Sequence, residues 1–267
     1  MRRQGSWQAL ARWLVAAGLA SASGCFHVHA IAPPGPEWVE PCQSIPLSGR
    51  NHVYIFFVHG LDPLDCANLK GVCEFVQRLG FNKTYYGQLY HTGHFRNEIR
   101  RIHQEDPDAR FVLIGFSFGA NQVRSIAQAV KPDGITIDLL VYLSGNTLKN
   151  IPRDRPENAC RIINILAEGC IWNGAMLEGA ENFQVNKVWH YGSPTHYYTL
   201  DTLARELAAV AATVPVVLPP EPHLEPDPEA APTPRPLTRP PDSPRDEWDF
   251  LKPVPRLGDR MPPAEDR

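Results

Sequence analysis

The chain contains no C-x-x-C pair and no excess of basic charge, and its N-terminus carries no apolar run long enough to cross a bilayer. Each absence closes a class. Without cysteines at metal-ligand spacing a zinc ribbon is excluded. A formal net charge of −3 and a pI near 6.4 leave no basic footprint, so a nucleic-acid partner held through its phosphates is excluded. Trp13–Gly24 (WLVAAGLASASG) is uncharged, but its 12 residues fall short of the ~20 a spanning helix needs. Disulfides are scarce as well. Ten extended residues part Cys160 from Cys170, up to ~33 Å and far beyond bonding reach. Cys66 and Cys73, if both helical, stand ~10 Å apart along the axis. The cysteines therefore read as small buried apolar residues.

What is present is a globular composition, 43% hydrophobic and 21% charged in 267 residues, with one anomaly. Of 27 prolines, 16 lie between Pro215 and Pro263, where 7 basic residues face 11 acidic ones. Such a segment buries too little apolar surface to fold and favours extended polyproline II. Arg2, Arg3 and Arg12 precede the apolar run, and Ala22-Ser23-Gly24-Cys25 closes it. This ending resembles the lipobox of bacterial lipoproteins, which implies lipidation of Cys25, export and a membrane surface as partner. Ala20-Ser21-Ala22 also fits simple secretion. The expected organisation is a signal peptide over 1–24, a linker over 25–50, one domain over 51–213 and a disordered proline-rich tail over 214–267.

Within the domain, apolar strands alternate with amphipathic helices. His52–Val58, Thr84–Tyr90, Arg110–Gly115, Ile135–Leu143, Arg161–Leu166 and Gln184–Trp189 read as strands. Asp65–Leu79, Gly93–Gln104, Phe118–Val130 and Thr199–Ala212 read as helices, whereas Pro33 to Arg50 reads as a loop. Right-handed crossovers then give an α/β, three-layer sandwich with a minimal, mostly parallel sheet.

The chemistry rests on Gly115-Phe116-Ser117-Phe118-Gly119, a G-x-S-x-G placed between the strand RFVLI and a helix. That placement suits a nucleophile elbow: the serine sits in a strained turn, the glycines allow close backbone approach, and the helix N-terminus favours negative charge. His59-Gly60-Leu61-Asp62 follows the strand YIFFV. Together these motifs resemble the lipase and esterase branch of the α/β-hydrolase fold family, from about His52 to Ala212. The resemblance implies Ser117 as nucleophile and the backbone N–H groups of Leu61 and Phe118 as oxyanion-hole donors, with His59 orienting its loop. It also places the base late and the acid between nucleophile and base.

His190, at the end of the last strand, is the expected base, with His196 as alternative. Glu168, the first carboxylate after RIINIL, is the expected acid, with Glu178 and Glu181 as alternatives. His91 and His94 form an H-x-x-H, but without a helix-borne H-E-x-x-H they read as pocket or surface residues. Trp172, Met176 and Leu177 could form an apolar wall over the site. The expected function is hydrolysis of a small-molecule carboxylic ester or thioester through an acyl-enzyme, without cofactor or metal. A non-catalytic envelope binding protein and an acyltransferase are the alternatives.

Overall fold

The computed structural model of the protein describes residues 29–145, 155–168 and 174–215. The signal segment, Cys25, Cys170, Trp172 and the proline-rich tail beyond Pro215 lie outside the described residues.

Six strands form one parallel sheet: β1 (Val53–Val58), β2 (Thr84–Gly87), β3 (Arg110–Phe116), β4 (Ile137–Leu143), β5 (Ala159–Ala167) and β6 (Glu181–Val185). Their order is β2-β1-β3-β4-β5-β6, and every neighbouring pair is parallel. β1 shows why the central runs are continuously apolar. All six of its residues are buried, and alternate side chains enter opposite cores. Val53, Ile55 and Phe57 join one core, while Tyr54, Phe56 and Val58 join the other.

The helices sort onto these two faces. On the first lie α1 (Pro36–Gln43), α3 (Leu69–Arg78) and α6 (Tyr197–Ala212), contributing Trp38, Phe75 and Leu207. On the second lie α4 (Thr92–Glu105) and α5 (Gly119–Val130), contributing Ile99 and Val123. The short α2 (Leu47–Asn51) leads into β1. The result is the expected three-layer α/β sandwich around a parallel sheet.

Four local expectations are corrected. Pro33 to Arg50 is not a plain loop but contains α1 and α2. Pro36 starts α1 at a position where its missing N–H costs nothing, and Trp38 and Cys42, one turn apart, are buried. Trp38 Nε1 donates to Asp201 in α6 at 3.0 Å. α3 starts at Leu69 rather than Asp65, because Asp65 and Asn68 adopt left-handed backbone (φ 52° and 50°) and cap the helix instead of joining it. Cys66 thus lies in a turn, not on the helix. β6 lies at 181–185 rather than 184–189, anchored by Asn182, whose Oδ1 accepts from Asn164 in β5 at 2.8 Å, and ended by Lys187 at φ 59°. Cys42, Cys66 and Cys73 are buried free thiols as expected, whereas Cys160 is exposed.

Burial runs past both expected domain bounds, since Trp38, Cys42 and Val214 are all core residues. The N-terminal segment is therefore part of the hydrophobic structure. Trp38→Ala should cost about 3 kcal/mol or more, lowering Tm by roughly 6–12 °C in thermal unfolding. A shift below about 2 °C would show that the domain does not need α1.

Candidate active site

In a parallel sheet all strands end at one edge, so the loops after them converge. Val58 of β1 is in register with Gly115 of β3, which brings His59-Gly60 alongside Phe116-Ser117. Ser117 adopts φ 55°, a left-handed conformation that a side chain makes unfavourable. Its N–H donates to the Leu143 carbonyl at the end of β4 (3.0 Å), and its carbonyl accepts from Ala120 in the first turn of α5 (3.1 Å). The strained turn is thus fixed from both sides.

Three glycines make the approach possible. A Cβ on Gly119 would lie 2.1 Å from the Val58 carbonyl oxygen, and one on Gly115 would lie 2.5 Å from that of Gly119. A Cβ on Gly60 would lie 2.7 Å from Ser117 Cβ and 3.2 Å from the Phe118 nitrogen. The loop carrying Leu61 therefore rests against the backbone that carries Phe118. Neither the Leu61 N–H nor the Phe118 N–H makes a hydrogen bond among the described residues. Two unengaged donors beside a half-exposed serine can receive an oxyanion.

His59 is fully buried and held by its own loop. Its Nε2 lies 2.7 Å from Asp65 Oδ1 and 4.0 Å from Asp62 Oδ2. With Nε2–H donating to Asp65, Nδ1 is left as a buried nitrogen without a hydrogen-bond partner. Asp65 also accepts the N–H groups of Leu69 and Lys70, and Asp62 accepts that of Ala67 (2.8 Å). His59, Asp62 and Asp65 offer ligand atoms within 4.8 Å of one another, but their oxygens are already engaged by protein donors. They lock the loop. Sequence reading gave His59 its orienting role and missed both aspartates, although Asp65 sits where a helix start needs an acceptor.

His190 is buried, with its ring centroid 4.8 Å from that of Phe116, the residue before Ser117. Its carbonyl accepts from Ser193 Oγ at 2.9 Å, and Ser193 Oγ meets Ser144 Oγ at 2.5 Å. Ser144, at φ 43°, follows β4 and donates its N–H to Ile165 of β5 (2.7 Å). This chain of bonds ties the loop after β6 to the ends of β4 and β5. His196 instead caps α6, its Nδ1 accepting from the Tyr198 N–H at 3.4 Å. Burial pulls its pKa below the usual histidine value.

Glu168 directly follows β5 but is exposed, and its carboxylate accepts the N–H of Lys187. Its own N–H donates to Val188 at 2.8 Å. Glu168 therefore braces the turn three residues before His190. Glu181 lies at the start of β6, the far edge of the sheet, paired with Arg161 at 2.5 Å, and Glu178 precedes it. His91 accepts from the Gln88 N–H (2.9 Å) in the turn before α4 and gathers no metal-ligand set with His94 among the described residues. Met176 is exposed and Leu177 packs on the second core. Leu177 also lines a cavity with Ala120, Asn121, Arg124, Tyr142 and Asn164, beside the first turns of α5. Burial pushes the Tyr142 phenol well above its usual pKa, so it stays a neutral hydroxyl.

No family model matches the chain, and no curated protein is significantly similar to it. Solved structures do align. A predicted CIB-like hydrolase from Thermoplasma acidophilum is 16% identical, with TM-score 0.39, over 58% of this chain and 87% of its own. The metagenome-derived lipolytic enzymes LipS and LipT give 10%, TM-score 0.43, and 61% and 94% coverage. Human thioesterase 2 gives 8%, TM-score 0.42, and 62% and 99% coverage. At these scores the likeness is one of general arrangement and says nothing of the residues at the sheet edge.

The glycine contacts and the loop lock are separable by mutation. Gly119→Ala forces Cβ onto a strand carbonyl and should prevent folding or cost at least ~3 kcal/mol in urea unfolding. Asp65→Ala removes a helix cap and strands the His59 N–H, at a cost of about 2–3 kcal/mol. If Asp65→Ala unfolds at the same urea concentration as the parent, the loop is not held by this pair.

Proposed function

We propose that the protein is a serine hydrolase that cleaves carboxylic ester or thioester bonds through an acyl-enzyme on Ser117. The observation that carries this reading is the turn itself. A non-glycine residue is held at positive φ between β3 and α5, with Gly60 against it and two unengaged N–H groups alongside. Strain of this kind persists where the surroundings enforce it, and here they present a hydroxyl to an oxyanion-binding backbone.

Ser117 Oγ attacks the carbonyl carbon and the carbonyl π electrons move to oxygen, which the Leu61 and Phe118 N–H groups stabilise. His190 takes the hydroxyl proton and delivers it to the leaving alkoxide or thiolate as the tetrahedral intermediate collapses. Water then attacks the acyl-enzyme, His190 takes its proton, and the carboxylic acid departs as Ser117 is restored. Glu168 is the acid in this reading, acting on the imidazolium from the turn it braces. The N-terminal pattern adds export and a lipid anchor on Cys25, which would hold the enzyme at a cell-envelope membrane.

Ser117→Ala should lower hydrolysis of p-nitrophenyl butyrate by at least ~10³-fold with the fold intact, and a fluorophosphonate probe should label the parent only. A parent that resists the probe would favour a non-catalytic binding protein. His190→Ala should cost a similar factor, whereas His196→Ala should keep activity within about threefold; the reverse result would move the base to the α6 cap. Glu168→Gln should cost ~10²-fold or more in kcat if the carboxylate serves the imidazole. A loss under about threefold would make Glu168 a loop brace alone.

A further inference from the structure

Seven large apolar side chains are exposed among the described residues, and five of them stand at one edge of the sheet. Leu61 and Leu64 follow β1, Tyr90 follows β2, and Tyr197 and Tyr198 open α6 after β6. This is the edge from which Ser117 emerges. The described chain also begins there. The His29 carbonyl accepts from Asn68 Nδ2 in the loop after β1, at 2.7 Å. The His29 ring lies where a Cβ on Gly192 would touch it at 3.4 Å, and His29 shares an open depression with Trp189, His196 and Tyr197. The leucine loop and the tyrosine turn thus meet at His29. From His29 the chain runs along α6 through α1 to the opposite edge, where β1 starts.

Cys25 lies four steps along the chain before His29, a covalent reach of at most ~14 Å. A lipid on Cys25 is therefore tethered at the edge that carries Ser117. We propose that this edge is a membrane-docking face, with Ser117 turned toward the bilayer and its ester taken from a membrane lipid. The substrate class rests on the serine-hydrolase reading; the docking face does not.

Chemistry and position both favour a bilayer as the occupant. Leucines reach the acyl region, and tyrosines suit the headgroup boundary, with an apolar ring and a polar hydroxyl. A lipid on one residue of the chain holds the protein at the surface but leaves the body free to rotate, so a fixed orientation needs a second contact from the folded domain. The exposed rim supplies it at the tether point. An enzyme so oriented receives lipid esters without their passage through water.

The test uses residues 26–267, free of lipid; among the described residues every buried core side chain lies between Trp38 and Val214, so this folded unit is kept whole. The parent is expected to float with phosphatidylcholine vesicles. The pair Leu64→Ser and Tyr198→Ser should lower vesicle partition at least ~10-fold, since both side chains lose apolar burial. Hydrolysis of dioleoylglycerol in the vesicles should fall in parallel, while turnover of soluble p-nitrophenyl butyrate stays within twofold. Leu47→Ser, which removes an exposed leucine from the opposite edge, should change none of these. A parent that does not float, a double variant that floats like the parent, or an equal loss with Leu47→Ser would overturn the docking face. Flotation without turnover of either ester would uphold the face and overturn the hydrolase reading together with its lipid substrate.

Discussion

Backbone packed directly on backbone, at Gly60, Gly115 and Gly119, is the constraint on which the rest of this structure depends. The parallel register of β1 and β3 fixes where two loops emerge, but only residues without Cβ let them touch. Once they touch, Ser117 has no room to relax from its left-handed turn. The same contact brings the loop that carries Leu61 against the backbone that carries Phe118, so the strained serine and the two N–H groups beside it share one cause. The side chains around them are then placed by longer routes. His190 rests on Phe116, and the Ser193–Ser144 bond joins its loop to the neighbouring strands.

The parts legible in the sequence are those that depend on contiguous residues. G-x-S-x-G between an apolar strand and an amphipathic helix is local, and so are the continuous apolar runs of strands buried on both faces. The parts that escaped depend on partners far along the chain. Trp38 reads as a loop residue among Pro33, Pro34, Pro36 and Pro41 until Asp201, 163 residues away, is seen to accept its N–H. Asp65 fits the period of the following helix, yet its carboxylate serves as the cap that starts it. The role of Glu168 was hardest to read, because an exposed glutamate after a strand gives the same pattern whether it braces a turn or serves an imidazole.

The loop after β1 pays for its precision with two left-handed residues and one buried histidine nitrogen, and it recovers stability through a dense set of carboxylate contacts. Asp62 and Asp65 together accept three backbone N–H groups and the His59 imidazole. Such a network is stiff because three donors converge on the one carboxylate of Asp65. A rigid loop suits a donor group that must be aimed before any charge develops.

Strain in this fold has a side. Among the described residues, the non-glycine ones at positive φ are Asp65, Asn68, Ser117, Ser144 and Lys187, and all five lie in loops leaving the carboxyl ends of strands. None lies in the described parts of the turns that feed the strands at the other edge. The sheet and its two cores carry the cooperative stability, while the stored unfavourable backbone is concentrated at the edge that carries Ser117. Heating should therefore release the edge before the body. The protein would then lose its working geometry while its sheet still gives a native circular-dichroism spectrum, so a melting curve overstates the temperature at which the molecule remains useful.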